Sequence, residues 1–308
     1  CAVCTGYEKD GALVITDKRA IPTDLAISPY EMIDRMCALA EEMTDDFSVI
    51  GISCGGPLNS RDGVIMSPPN LKGWDDVKIK EYLENRYHGR VYLQNDANAC
   101  AVAEWKFGAG KGADNVIFLT FGTGLGAGII INGRLYSGTS DMAGECGHVR
   151  LSDDGPVGFG KAGSFEGYCS GGGIAQIGRA LAKEKLESGE IVSFCNSIDE
   201  LECISAKLIA EKAYEGHKDA IEVYNISAKH LGIGLAVLID ILNPERIIIG
   251  SVFARSEDLF RAEMEKVLER ECLPQSLEVC KIVPAELGDK IGDYAALSVA
   301  VAGKEDEI

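Results

Sequence analysis

Thr120-Phe121-Gly122-Thr123-Gly124-Leu125-Gly126-Ala127-Gly128 follows an apolar strand pattern at residues 116–120. Four glycines fall at every second position, and on an extended chain that spacing strips the side chains from one face. Backbone N–H groups and the Thr120 and Thr123 hydroxyls can then approach a phosphate closely. The structural alternative is a glycine-rich hairpin packed under another element. The strand before the glycines and the flanking threonines favour phosphate.

Outward from this stretch, strands alternate with helices. Residues 1–7 and 12–15 read as a hairpin around a turn at 8–11. Ser28-Pro29-Tyr30-Glu31 is a capping box with proline at the first helical position. Met32, Ile33, Met36, Cys37, Ala40 and Met43 then mark one helical face. A buried strand at 49–53 ends in Gly55-Gly56-Pro57, and another at 91–94 leads into a helix at 97–107. Residues 108–113 are glycine-rich and read as a hinge or boundary. Asn132-Gly133, set between apolar runs, predicts a type I′ hairpin. Helices are expected at 174–187, 218–242, 258–272 and 293–301, and strands at 246–249 and 279–283. Such alternation describes a layered α/β protein.

The chain has 308 residues, 46% of them apolar and 25% charged, room for about two ordinary domains. Thirty basic residues against 48 acidic give a net charge of −18. That argues against nucleic acid, which needs clustered basic side chains, and against an anionic membrane surface. The longest apolar run, near 231–242, is interrupted by Asp240, so no membrane span is expected. These residues show no basic stretch followed by an apolar one, so no secretion signal is expected. Eleven cysteines in such a chain fit reduced thiols in a cytoplasm. Cys37, Cys100 and Cys203 sit in helical patterns and read as small core residues.

Three further stretches can carry chemistry. Asn95-Asp96-Ala97-Asn98 places a carboxylate at the end of a strand, where α/β sites form; Asp and Asn also serve there as helix caps. Ala143-Gly144-Glu145-Cys146-Gly147-His148, with Glu166 further on, offers carboxylate acceptors and an imidazole among small residues, suited to reading hydroxyl groups. Glu145 and His148 are three apart and share a side of one helical turn. Residues 155–162 nearly fit a P-loop, but Ala162 stands where a hydroxyl must hold Mg²⁺ and no strand precedes them.

Taken in order, these pieces resemble the ROK family of bacterial sugar kinases and sugar-responsive repressors. The match runs through Gly51-Ile52-Ser53-Cys54-Gly55-Gly56-Pro57, Pro69-Asn70-Leu71 with Gly73-Trp74, the Asn95–Asn98 and glycine segments, and Gly144-Glu145-Cys146-Gly147-His148. It continues through Leu242-Asn243-Pro244-Glu245 and Leu287-Gly288-Asp289. The resemblance implies an actin-like ATPase (ribonuclease H-like) fold of two α/β lobes with a central cleft. The small lobe would span 1–107, with the C-terminal helix at 293–308 packing back on it, and the large lobe 108–292.

The resemblance also implies ATP-dependent phosphorylation of a hexose or N-acetylhexosamine, with Asp96 as general base. Gly56, Asn70, Asn95, Glu145, His148 and Glu166 would hold the sugar. Thr120, Gly122, Thr123, Gly124 and Gly250 would meet Mg-ATP. A sugar-sensing repressor core and an inactive sugar-binding protein are the alternatives. A cytoplasmic homodimer is implied.

Three departures stand out. The family's Asp-x-Gly-Gly-Thr-type loop on the first strand is not among these residues; Cys1–Cys4 resembles the stretch just after it, so a clipped sequence is expected. The Gly pair after the strand on the adenosine side is here Gly250-Ser251. Many members also carry a Cys-x-Cys-Gly-x-x-Gly-Cys-x-Glu zinc loop completed by the histidine. Here Gly160, Gly163 and Glu166 keep the pattern, but Val157, Phe159 and Ser164 occupy the ligand positions, and no zinc is expected.

Overall fold

The computed structural model describes residues 1–308. Contacts divide the chain into two compact units. The first comprises Cys1–Phe118, Gly128–Gly144 and Glu286–Ile308, and the second Leu119–Ala127 and Glu145–Ala285.

The chain begins with β1 (Ala2–Lys9), β2 (Ala12–Ala20), α1 (Pro29–Glu41), β3 (Val49–Cys54), β4 (Leu58–Asn59) and β5 (Val64–Ile65). It continues with α2 (Ile79–Tyr87), β6 (Arg90–Asn95), α3 (Asp96–Phe107), β7 (Val116–Leu119), β8 (Ala127–Ile131) and β9 (Arg134–Leu135). Then come β10 (Val157–Gly158), β11 (Lys161–Ala162), α4 (Phe165–Tyr168), α5 (Gly171–Glu187), α6 (Ala206–Tyr214) and α7 (Lys218–Leu242). The chain ends with β12 (Arg246–Ile249), α8 (Ser251–Glu271), α9 (Pro274–Val279), β13 (Lys281–Pro284) and α10 (Ile291–Lys304).

In the first unit β3 and β6 pair in parallel, with Cys54 opposite Asn95. Side chains alternate across a strand. Val91 and Leu93 of β6 therefore join a core with Met32, Ile33 and Cys37 of α1 and Leu83 of α2. Tyr92 instead packs with Ala99 of α3 and Ala295 and Val299 of α10. Ser28 caps α1 through the Glu31 N–H, as the capping box predicts. Asp10 and Gly11 close the β1–β2 hairpin at positive φ, and Asn132 and Gly133 do the same between β8 and β9.

The second unit is built around α7, which packs against α5, α6 and α8. It ends at Asn243, in the left-handed conformation, just before Pro244. A Cβ at Gly234 would lie 2.3 Å from the Phe165 ring, so the bare backbone there lets that buried ring seat on the helix. β12 and β13 pair in parallel. By length and apolarity α7 could cross a membrane, a correction to the expectation of no such segment. Its Leu231, Leu235 and Ile239 are fully buried in this unit, as in the core helix of a globular body.

Some expectations shift. The glycine stretch is not an extended strand: it is the loop between β7 and β8, closed by the Gly122 N–H on the Gly124 carbonyl. α8 starts at Ser251 but is kinked at Ser256, whose φ/ψ are non-helical, so the predicted start at 258 falls just inside its second segment. The apolar stretch expected as a strand at 279–283 splits, with Val279 ending α9 and β13 beginning at Lys281. All eleven cysteines are free thiols; Cys37 is buried and Cys100 partly so, but Cys203 is exposed and not a core residue.

Candidate active site

Two parallel strands of the first unit end side by side, which delivers Gly55-Gly56 and Asn95-Asp96 to the same edge. Asn95 caps α3: its Oδ1 accepts the N–H groups of Ala97 at 2.9 Å and Asn98 at 3.4 Å. A Cβ on Gly56 would stand 3.2 Å from the Asn95 amide nitrogen, so glycine lets that side chain lie against the backbone. Asp96 accepts the Ala97 N–H at 2.9 Å and keeps an exposed face. Crowding by the protein raises its pKa above the ordinary carboxylate value, outweighing the lowering by the N–H groups of Ala97 and Asp96 itself. Burial, with the Asp96 charge second, pushes the neighbouring Cys54 thiol up to about 11, so it stays protonated at neutral pH. Asn70 sits exposed on the loop between β5 and α2.

In the second unit the Thr120–Gly126 loop is pinned from inside. The Thr120 hydroxyl accepts the Gly126 N–H at 2.9 Å, and Phe121 is fully buried at positive φ against Phe260. Thr123 is exposed at the loop tip. A Cβ on Gly122 would meet nothing closer than the Ser251 Oγ at 3.8 Å. Two helix starts converge here. Gly171 at the start of α5 donates to the Gly122 carbonyl at 2.8 Å, and Val252 at the start of α8 donates to the Phe121 carbonyl at 3.0 Å. Gly250 donates to the Leu119 carbonyl at 2.9 Å. The structure thus brings Gly122 and Gly250 together. It adds Gly171, which sequence reasoning missed; the signal was Ser170, an N-cap before three glycines. Helix N-termini and bare backbone favour an anion.

Glu166 of α4 joins this loop to the hydroxyl-reading set. Its Oε2 accepts the Leu125 N–H at 2.9 Å. A Cβ on Gly124 would lie 2.7 Å from the same oxygen, and one on Gly158 2.7 Å from the Glu166 Cβ. Glu145 and His148 lie at the ends of a single 3₁₀ turn, both exposed, with the His148 N–H on the Glu145 carbonyl at 3.1 Å. In a 3₁₀ turn residues three apart eclipse. At the positions where zinc ligands are wanted, Val157 and Phe159 are exposed apolar side chains and Ser164 is a buried cap of α4. None supplies a thiolate or imidazole.

The mixed α/β architecture is shared with solved ROK kinases, whose fold is that of the actin-like ATPases. A solved structure of a ROK glucokinase from Streptomyces griseus, in complex with glucose and AMPPNP, superposes with a TM-score of 0.73 at 29% identity, covering 98% of this chain and 96% of that one. The ROK family profile matches residues 9–302, and the protein belongs to the ROK family. A glucokinase from Streptomyces coelicolor is 31% identical over 95% of this chain and 92% of its own. A xylose repressor from Caldicellulosiruptor bescii is 29% identical over 89% of this chain and 67% of its own. The relatives thus include both sugar kinases and repressors.

Proposed function

We propose that this protein transfers the γ-phosphate of Mg-ATP to a hydroxyl of a hexose or N-acetylhexosamine, with Asp96 as general base. The observation that carries the reading is Asp96 itself: a carboxylate with a raised pKa at the end of parallel strand β6, beside Asn95 and Gly56. A base works best when its pKa approaches the working pH. Phosphoryl transfer otherwise asks for positioning and charge stabilisation. Thr123 and Gly124, with the starts of α5 and α8, supply N–H groups for the phosphates, and the bare backbone of Gly122 and Gly250, whose own N–H groups are held by the Gly124 and Leu119 carbonyls, lets the phosphates approach. Asn70, Asn95, Glu145, His148 and Glu166 supply partners for sugar hydroxyls. The kinase relatives support the reaction class. We place the reaction in the cytoplasm, in a homodimer; the eleven free thiols suit a reducing compartment.

The test is ADP release by the intact protein across a panel of hexoses and N-acetylhexosamines. Release is expected only with sugar present. Asp96→Asn should cut turnover by about 10²–10⁴-fold and leave the sugar Kd within a few fold. Sugar binding by wild type with no ADP release from any member of the panel would make it a sensor, as the repressor relative allows.

A further inference from the structure

The loop at residues 149–166 carries His148 at one end and Glu166 at the other, and it holds no zinc ligand set. It is nevertheless cross-linked at every step. Gln176 of α5 reaches across to Val157 with a reciprocal pair. Its Oε1 accepts the Val157 N–H at 2.9 Å, and its Nε2 donates to the Val157 carbonyl at 2.9 Å. An amide has one acceptor and one donor group, so this pair fixes its orientation. Arg150 donates to the carbonyls of Ala162 at 2.8 Å and Asp153 at 3.2 Å. The Gly163 carbonyl accepts the Leu151 N–H at 2.8 Å. Lys161 donates to the His148 carbonyl at 2.7 Å.

Ser164 closes the arrangement. It is fully buried, its Oγ accepts the Gly167 N–H at 3.1 Å, and its hydroxyl donates to the Gly158 carbonyl at 3.4 Å. A hydroxyl so committed, together with an aliphatic side chain and a phenyl ring that is 82% exposed, gives a metal nothing to bind.

We propose that Gln176 and Arg150 are positioning residues that staple this loop by hydrogen bonds in place of zinc, so that the placement of His148 and Glu166 is independent of metal. The part concerning sugar rests on the kinase reading; the staple itself does not.

The experiment has three readouts on the intact protein. Wild type purified without chelator is analysed for zinc, and its amide hydrogen exchange is followed with and without EDTA. Slow exchange at Leu151, Val157 and Gly167, unchanged by EDTA, is expected; one zinc per chain, or exchange quickened by chelation, overturns the proposal. Gln176→Met, which keeps the volume and loses both bonds, is expected to quicken exchange across residues 151–163. It should also raise the sugar KM by roughly 5- to 150-fold, for two lost bonds, with kcat within about twofold. Arg150→Met gives the same pattern if Gln176→Met does not fold. Unchanged exchange in a folded variant defeats the staple. Quickened exchange in a variant whose wild type binds no sugar supports the staple and defeats the kinase reading alone.

Discussion

At Asp96 activity and stability pull apart. Crowding by the protein on one side of Asp96 raises its folded pKa, so the folded state binds its proton more tightly than the unfolded chain does. Stability therefore falls as pH rises from the unfolded carboxylate value through the folded one, and the charged form at neutral pH is a standing cost. Asp96→Asn is expected to be at least as thermostable as wild type at pH 7 while losing turnover; a lower Tm would contradict this assignment. For the proposed reaction, the same shift is expected to set the acid limb of kcat/KM above the ordinary value of 3.8, since a general base must be ionised. A limb at or below 3.8 would remove Asp96 from that role. The position of Asp96 was legible because a strand end announces it. Glu104 was not: a glutamate in an alanine-rich helix reads as surface. It is fully buried, and its carboxylate accepts the N–H groups of Ala109, Glu286 and Leu287. Two of those donors come from chain some 180 residues away, beyond the reach of any local pattern. Glu104→Gln turns a donor toward donors, and a loss of about 2–3 kcal/mol is expected in urea unfolding at unchanged m.

Among elements, those that sequence located best carry their own punctuation. α7 begins and ends where read, because Asn243-Pro244 stops it locally. Likewise Asn132-Gly133 fixes its hairpin through two positive-φ residues. α2 and α6 went unread: Ile79 and Leu83 bury one face of α2, but the short helix is otherwise polar. The β7–β8 connection was misread as extended because glycine spacing cannot distinguish a bare strand face from a tight loop. Two glycines of the 120–128 stretch also divide by purpose. A Cβ on Gly122 would make only an ordinary contact with the Ser251 Oγ, whereas one on Gly128 would lie 2.4 Å from the Ala101 Cβ, so that one serves packing on α3. The same logic makes Gly51 of β3 the seat of α10, where a Cβ would fall 2.0 Å from the Ala296 carbonyl oxygen. Backbone cannot step aside as a flexible side-chain end does. Gly51→Ala is expected to cost at least the ~1–3 kcal/mol typical of overpacking. A Tm within 1 °C (roughly a few tenths of a kcal/mol) would show that α10 docks more loosely than described.

For the whole molecule, composition says more than any motif. Each unit is assembled from separated stretches of chain, and membership is decided by contacts between distant residues, which glycine-rich boundaries alone do not report. Charge is additive and needs no fold to be read. An excess of 18 negative charges opposes compaction through self-repulsion. Against it stand ion pairs such as Arg86–Glu41, Arg35–Glu31 and Lys212–Glu215, all with partly exposed side chains. Such pairs contribute roughly 0–1 kcal/mol each. Their partners are 3.1 Å apart or less, well inside the Debye length of about 8 Å at physiological ionic strength. Long-range repulsion is screened far more than these contacts as the Debye length shrinks from about 30 Å at 0.01 M salt. Stability should therefore rise with salt. Thermal melts at pH 7 are expected to move up by a few degrees between about 10 and 300 mM NaCl, corresponding to roughly 1 kcal/mol for a chain of this size. Potassium chloride should act like sodium chloride, because screening does not depend on the cation. A Tm that falls with salt would show instead that the ion pairs outweigh the net charge. A rise with only one of the two salts would point to a bound cation.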